Sequence, residues 1–169
     1  NLLATVIERD VGDGPIDAIF LGLEKPTDAS ADSRDSQVHS ATVGEAARAA
    51  GVRVVINLRP PSELDWDEKA TVEKLGMAYY NVPVSGPRFE RDVFGHIEEL
   101  VEANEDVPIL LHCSTSNRVG GWLATHLVRE HSMTIDAALA VGRRAGITKE
   151  EVADRVREYV QKHKEGETK

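Results

Sequence analysis

The chain has 169 residues, 41% hydrophobic and 29% charged, with a net charge of −9. That length suits a single domain over residues 1–169 with a sizeable core. The acidic surplus argues against a nucleic-acid or anionic-membrane partner, because both need a basic field. A lone cysteine cannot close an internal disulfide, and no apolar run approaches the roughly 18 residues of a membrane span. The expectation is a soluble protein, cytoplasmic or, if a leader once preceded Asn1, periplasmic. Nothing in the composition speaks to oligomeric state.

In chain order, Ile16–Gly22 (IDAIFLG) reads as a first strand. Residues 25–41 are rich in Asp, Ser and Ala and read as a long loop or insertion. Thr42 and Glu45 have the capping-box spacing for a helix that Gly51 ends. Val52–Leu58 (VRVVINL) is β-branched and apolar, so it predicts a central strand. After the break at Pro60 and Pro61, Ser62 is placed to cap a helix running to Leu75, with Gly76 as its stop. Ala78–Val84 reads as a strand, followed by a Ser85-Gly86-Pro87 turn and a helix from about Glu90 to Ala103. Val107–His112 (VPILLH) is the candidate for the innermost parallel strand. Helices are expected from about Arg118 to Glu130, Ile135 to Ala145 and Thr148 to Lys162, with residues 163–169 as a charged, frayed tail. Strands alternating with helices predict an α/β fold: a central, mostly parallel sheet flanked by helices. In such sheets ligands bind beyond the carboxyl ends of the strands.

Cys113 falls at such an end, in the run His112-Cys113-Ser114-Thr115-Ser116-Asn117-Arg118-Val119-Gly120-Gly121. A loop between a buried strand and a helix N-terminus gathers backbone N–H groups and a helix dipole around one anion. The same field favours the thiolate of a cysteine placed there, which makes it a nucleophile. Arg118 can grip two oxygens of a bound oxyanion. Ser114, Thr115, Ser116 and Asn117 are the candidate substrate-binding residues, small and polar enough to donate without blocking the bowl. Gly120 and Gly121 are read as allowing close approach of the helix start to the sheet. His112 is either a tuning partner of the cysteine or a satisfied core histidine.

His-Cys, a short loop and Arg at a strand-to-helix junction resemble the signature of the protein tyrosine and dual-specificity phosphatase superfamily. The likeness spans roughly residues 42–145, includes the segments VVINLRPPSE and VPVSGP, and is nearest to bacterial phosphatase-like proteins of the beta-lactamase-hydrolase-like group. It implies hydrolysis of phosphate monoesters through a phosphocysteine on Cys113, with Arg118 holding the phosphoryl group and no cofactor. Three positions depart from the pattern. Four residues separate Cys113 from Arg118 where the family has five, Val119 stands where a hydroxyl usually follows the arginine, and the usual acidic position is Ser85-Gly86-Pro87. The candidate general acid is therefore Asp92, with Glu90 and Asp65 as alternatives. Arg88 could assist an anionic substrate or be an ordinary surface arginine.

Two other functions remain open at this point. The short loop is the length found in rhodanese-type sulfurtransferases, which carry a persulfide on cysteine. Val119 and the displaced acid equally suit a catalytically weak oxyanion-binding module. No metal site is expected: His126 and His131 are five apart, a poor match to one helix face. Trp122 is read as core, and Trp66 as either packing or a rim of the site.

Overall fold

The computed structural model describes residues 4–6, 18–22, 44–64, 66–85 and 91–166. Five strands form one sheet: β1 (Ala4–Val6), β2 (Ala18–Gly22), β3 (Val54–Asn57), β4 (Ala78–Asn81) and β5 (Ile109–Cys113). Their order is β1-β2-β5-β3-β4. β2, β5, β3 and β4 run parallel, and β1 pairs antiparallel with β2 at one edge. The expected parallel α/β sheet is present, with β5 innermost. The three-residue β1 is an addition to the elements read from sequence, too short to show a period.

Both faces of the inner strands are covered, which is why β3 and β5 read as continuous apolar runs. Side chains alternate with the period of two. Val54, Ile56, Ile109, Leu111 and Cys113 join the larger core, with α3 (Arg91–Glu102), α4 (Asn117–Arg129), α5 (Ile135–Arg144) and α6 (Glu150–Gly166). Val55 and Leu110 face the other way, onto Ala47 of a helix over residues 44–49 (α1) and Val72 of α2 (Glu68–Lys74).

Two expectations are corrected here. The helix foreseen from Ser62 to Leu75 is split: Pro61–Glu63 forms one 3-10 turn, Leu64 is extended (φ −93°, ψ 120°), and α2 begins only at Glu68. Asp67 is the real cap, its carboxylate accepting from the Ala70 N–H at 3.0 Å. Two consecutive prolines favour a tight turn before a helix can start. Gly120 approaches helix α5 rather than the sheet. A Cβ there would lie 2.7 Å from the Gly142 carbonyl oxygen and 2.8 Å from Ile147 Cγ1. The stop at Gly76 holds, with φ +76°. Helix α6 continues to Gly166, through part of the expected tail. The loop foreseen over residues 25–41 lies outside the described residues.

Candidate active site

Cys113 ends the central strand, at the carboxyl edge of the parallel sheet. Its side chain is fully buried on the α3–α6 face. Residues 114–116 then turn the chain directly into α4. The turn is made by Ser116, which adopts the left-handed conformation (φ 59°, ψ −4°), a geometry that costs a non-glycine residue about 1–2 kcal/mol. Its carbonyl accepts the Gly120 N–H at 2.8 Å. Among the described residues, the N–H groups of residues 114–119 have no backbone acceptor. The first helical amides always lack one, and here the loop amides before them share that state. Such a run of donors at the start of a 13-residue helix is suited to an anion.

Arg118 comes back onto this loop. Its Nη2 donates to Ser114 Oγ at 2.7 Å, and its Nη1 donates to the carbonyls of Leu58 (3.2 Å) and Val84 (3.1 Å). The fork is closed by Glu63, whose two carboxylate oxygens take Nη2 at 2.6 Å and Nη1 at 3.2 Å. The guanidinium thus spans the ends of β3 and β4 and the cysteine loop. Glu63 was not singled out from sequence, although it closes the segment VVINLRPPSE. A single glutamate after two prolines carries no local signal that it will meet an arginine 55 residues away.

The other predicted loop residues differ in what they touch. Ser114 is half-buried on Arg118, and Thr115 is exposed. Asn117 is buried, and its Nδ2 reaches Thr115 within the loop (Oγ1 at 3.3 Å, carbonyl at 3.4 Å) as well as the turn before α6. Its Oδ1 accepts from the N–H groups of Thr148 (3.0 Å) and Lys149 (3.1 Å), while Nδ2 donates to Thr148 Oγ1 (3.1 Å). Asn117 therefore ties the turn before α6 to the cysteine loop. Gly146, in that turn at φ +121°, packs so closely that a Cβ on it would lie 2.2 Å from the Ser116 Cβ.

Asp92 lies in the first turn of α3, with its side chain outside the described residues. Glu90, Asp65 and Arg88 also lie outside them. Trp122 is core, 3% exposed, and stacks on His126. His131 returns to within 5.1 Å of the His126 ring by lying past the end of α4 rather than on its face. His126 Nδ1 meets Glu98 Oε1 at 2.6 Å. Among the described residues no group of three or more His, Cys, Asp or Glu is arranged to hold a metal ion, and no helix is long and apolar enough to cross a membrane.

On the opposite face of β5 from Cys113, His112 is buried beside Glu68 of α2, Nε2 to Oε1 2.9 Å. Asn57 Nδ2 and the Tyr79 hydroxyl donate to the other oxygen of Glu68. Burial alone would push the Glu68 carboxyl up. The charge and hydrogen bond of His112, with the bonds from Tyr79 and Asn57, outweigh it and hold the group below its ordinary range. Burial and then the Glu68 charge raise the Tyr79 hydroxyl well above its usual value, so it stays a donor.

This architecture is the fold seen in solved structures described as phosphatases. Several solved structures share it. A Shewanella putrefaciens protein described as a phosphatase of the DUF442 group aligns over 88% of this chain and 87% of its own, with a TM-score of 0.64 and 18% identity. Pseudomonas aeruginosa TpbA, crystallised with phosphotyrosine, aligns over 85% of this chain and 77% of its own at TM-score 0.60 and 17% identity. Kinase associated phosphatase, with its catalytic cysteine changed to serine, aligns over 86% of each at TM-score 0.66 and 12% identity. No protein-family model and no curated protein matches the sequence.

Proposed function

We propose that this chain is a cysteine-dependent phosphatase that hydrolyses phosphate monoesters. The observation that carries the reading is the meeting of three things at one strand end. Cys113 closes the central strand, a run of amides with no backbone acceptor among the described residues follows it, and the Arg118 guanidinium returns onto that loop through Ser114. An anion seated there finds donors on one side and a planar cation on the other. Phosphatase neighbours of the same fold, one of them holding phosphotyrosine, support a phosphorylated substrate.

In the first step the Cys113 thiolate attacks phosphorus, the ester P–O bond breaks, and the leaving oxygen takes a proton. Asp92 is the proposed donor. In the second step water attacks phosphorus, the S–P bond breaks, the water proton passes to the carboxylate, and inorganic phosphate leaves. Arg118 and the loop amides carry the charge that gathers on the equatorial oxygens in both steps. Val119 offers no hydroxyl to the departing thiolate, so the second step is the slow one.

Rapid mixing with an aryl phosphate is expected to give a burst of about one aryl alcohol per chain, then a steady rate slower by about tenfold or more. Cys113→Ser abolishes both phases, and Asp92→Asn slows the burst with poor leaving groups by about a hundredfold. Thiocyanate formed from thiosulfate and cyanide, with no phosphate released, would replace this reading by a persulfide carrier, which the four-residue loop also suits. Phosphate binding without either reaction would leave an oxyanion-binding module.

A further inference from the structure

The short loop after Cys113 contains a left-handed serine, a conformation that persists only where the surroundings hold it. Asn117 is 5% exposed, and every hydrogen-bonding position of its side-chain amide is used. Both lone pairs of Oδ1 accept, from the Thr148 N–H at 3.0 Å and the Lys149 N–H at 3.1 Å. Nδ2 donates to Thr148 Oγ1 at 3.1 Å, which leaves its second hydrogen for Thr115, with Oγ1 at 3.3 Å and the carbonyl at 3.4 Å. Thr148 and Lys149 immediately precede α6, so Oδ1 sits at the positive end of a 17-residue helix. The Thr115 carbonyl matters because of what shares its peptide. A trans peptide is planar, and its C=O and N–H point opposite ways. The N–H on the far side belongs to Ser116, one of the amides with no backbone acceptor among the described residues. Fixing the carbonyl therefore fixes the direction of that N–H. A carbonyl that accepts also polarises the N–H of its own peptide and makes it a stronger donor.

We infer that Asn117 is a positioning residue: it joins the start of α6 to the Thr115–Ser116 peptide and so aims the Ser116 N–H at negative charge beside Cys113. Its side chain acts from behind the loop, through Ser116, and not on the substrate. Aspartate in its place could accept from Thr148 and Lys149 but could not donate to Thr115, so the amide is what the position requires. The inference deepens the phosphatase reading and rests on it for its purpose. Its readout needs no substrate, because the Cys113 thiolate is itself a negative charge that such amides favour.

The test is the pH profile of alkylation by iodoacetamide, which reports Cys113 alone because the chain has one cysteine. Lys149→Pro deletes one donor to Asn117 Oδ1 at a helix start, where proline is tolerated. Lys149→Ala removes the same exposed charge and keeps the N–H. Asn117→Ala is expected to raise the midpoint, slowing alkylation about tenfold below the wild-type midpoint, and Lys149→Pro to slow it about threefold. Lys149→Ala leaves the midpoint in place. A general loosening has the opposite sign, since it would expose the fully buried thiol and speed alkylation. An unmoved or lowered midpoint in Asn117→Ala, or equal midpoints in Lys149→Pro and Lys149→Ala, overturns the inference. Should Asn117→Ala fail to fold, the two Lys149 variants decide between them. A chain that shows these shifts yet releases no phosphate keeps the Asn117 assignment and loses the phosphatase reading. A chain that releases phosphate without them keeps that reading and loses the assignment.

Discussion

At the scale of single residues, the site turns on how Arg118 is shared. Its Nη1 is held by two backbone carbonyls and its Nη2 by Ser114, so its orientation does not depend on Glu63 alone. The Glu63 carboxylate lies in the fork that a phosphoryl group would use, with 39% of its side chain exposed. A partly exposed ion pair of this kind contributes up to about 1 kcal/mol. Glu63→Gln is therefore expected to tighten competitive inhibition by inorganic phosphate, by up to about fivefold. An unchanged or weaker inhibition constant would show that the carboxylate orients the arginine rather than competing for it. That Cys113, Ser114 and Arg118 share one loop was legible in sequence because their spacing is local. Glu63 and Glu68 were not, since their partners lie 55 and 44 positions further along the chain (118 − 63 and 112 − 68).

At the scale of elements, the cysteine loop is held in shape by a neighbour that local pattern did not reveal. The turn between α5 and α6 presses Gly146 onto Ser116, and Asn117 binds the next two amides, of Thr148 and Lys149. The Thr148 hydroxyl, where the last helix was expected to start, accepts from Asn117. This turn backs the left-handed Ser116, whose strained geometry persists only where the surroundings hold it. Gly146→Ala combines a positive φ with a Cβ driven into Ser116, and is expected to cost about 2–3 kcal/mol by thermal or denaturant unfolding. Phosphate hydrolysis should fall by more than the unfolded fraction accounts for. Activity lost only in proportion to unfolding would mean that the turn supports the fold and not the loop.

At the scale of the whole molecule, a chain of net charge −9 is proposed to bind a dianion. The overall field repels such a substrate while Arg118 and the loop amides attract it at short range. Salt screens the distant charges first, beyond a Debye length of about 10 Å at 0.1 M. Raising ionic strength from about 0.01 to 0.15 M is therefore expected to increase kcat/KM for a dianionic aryl phosphate, by up to about threefold, and to leave kcat unchanged. A decrease would mean that local positive charge steers the substrate despite the net charge.

The sequence by itself determined most of the element order, the parallel α/β architecture and the place of Cys113 at a strand end. Those follow from periods of two and 3.6 and from caps and breakers, which act between residues close in the chain. The split at Pro61–Glu63 was the local feature misread, because Asp67 outdid Ser62 as a cap. Only the tertiary structure decided that β5 lies between β2 and β3, that Gly120 meets Gly142, that Glu63 closes on Arg118 and that Glu68 sits behind His112. Each of these is a contact between segments far apart in the chain. What selects it is burial and charge pairing in the assembled core, which no local pattern encodes.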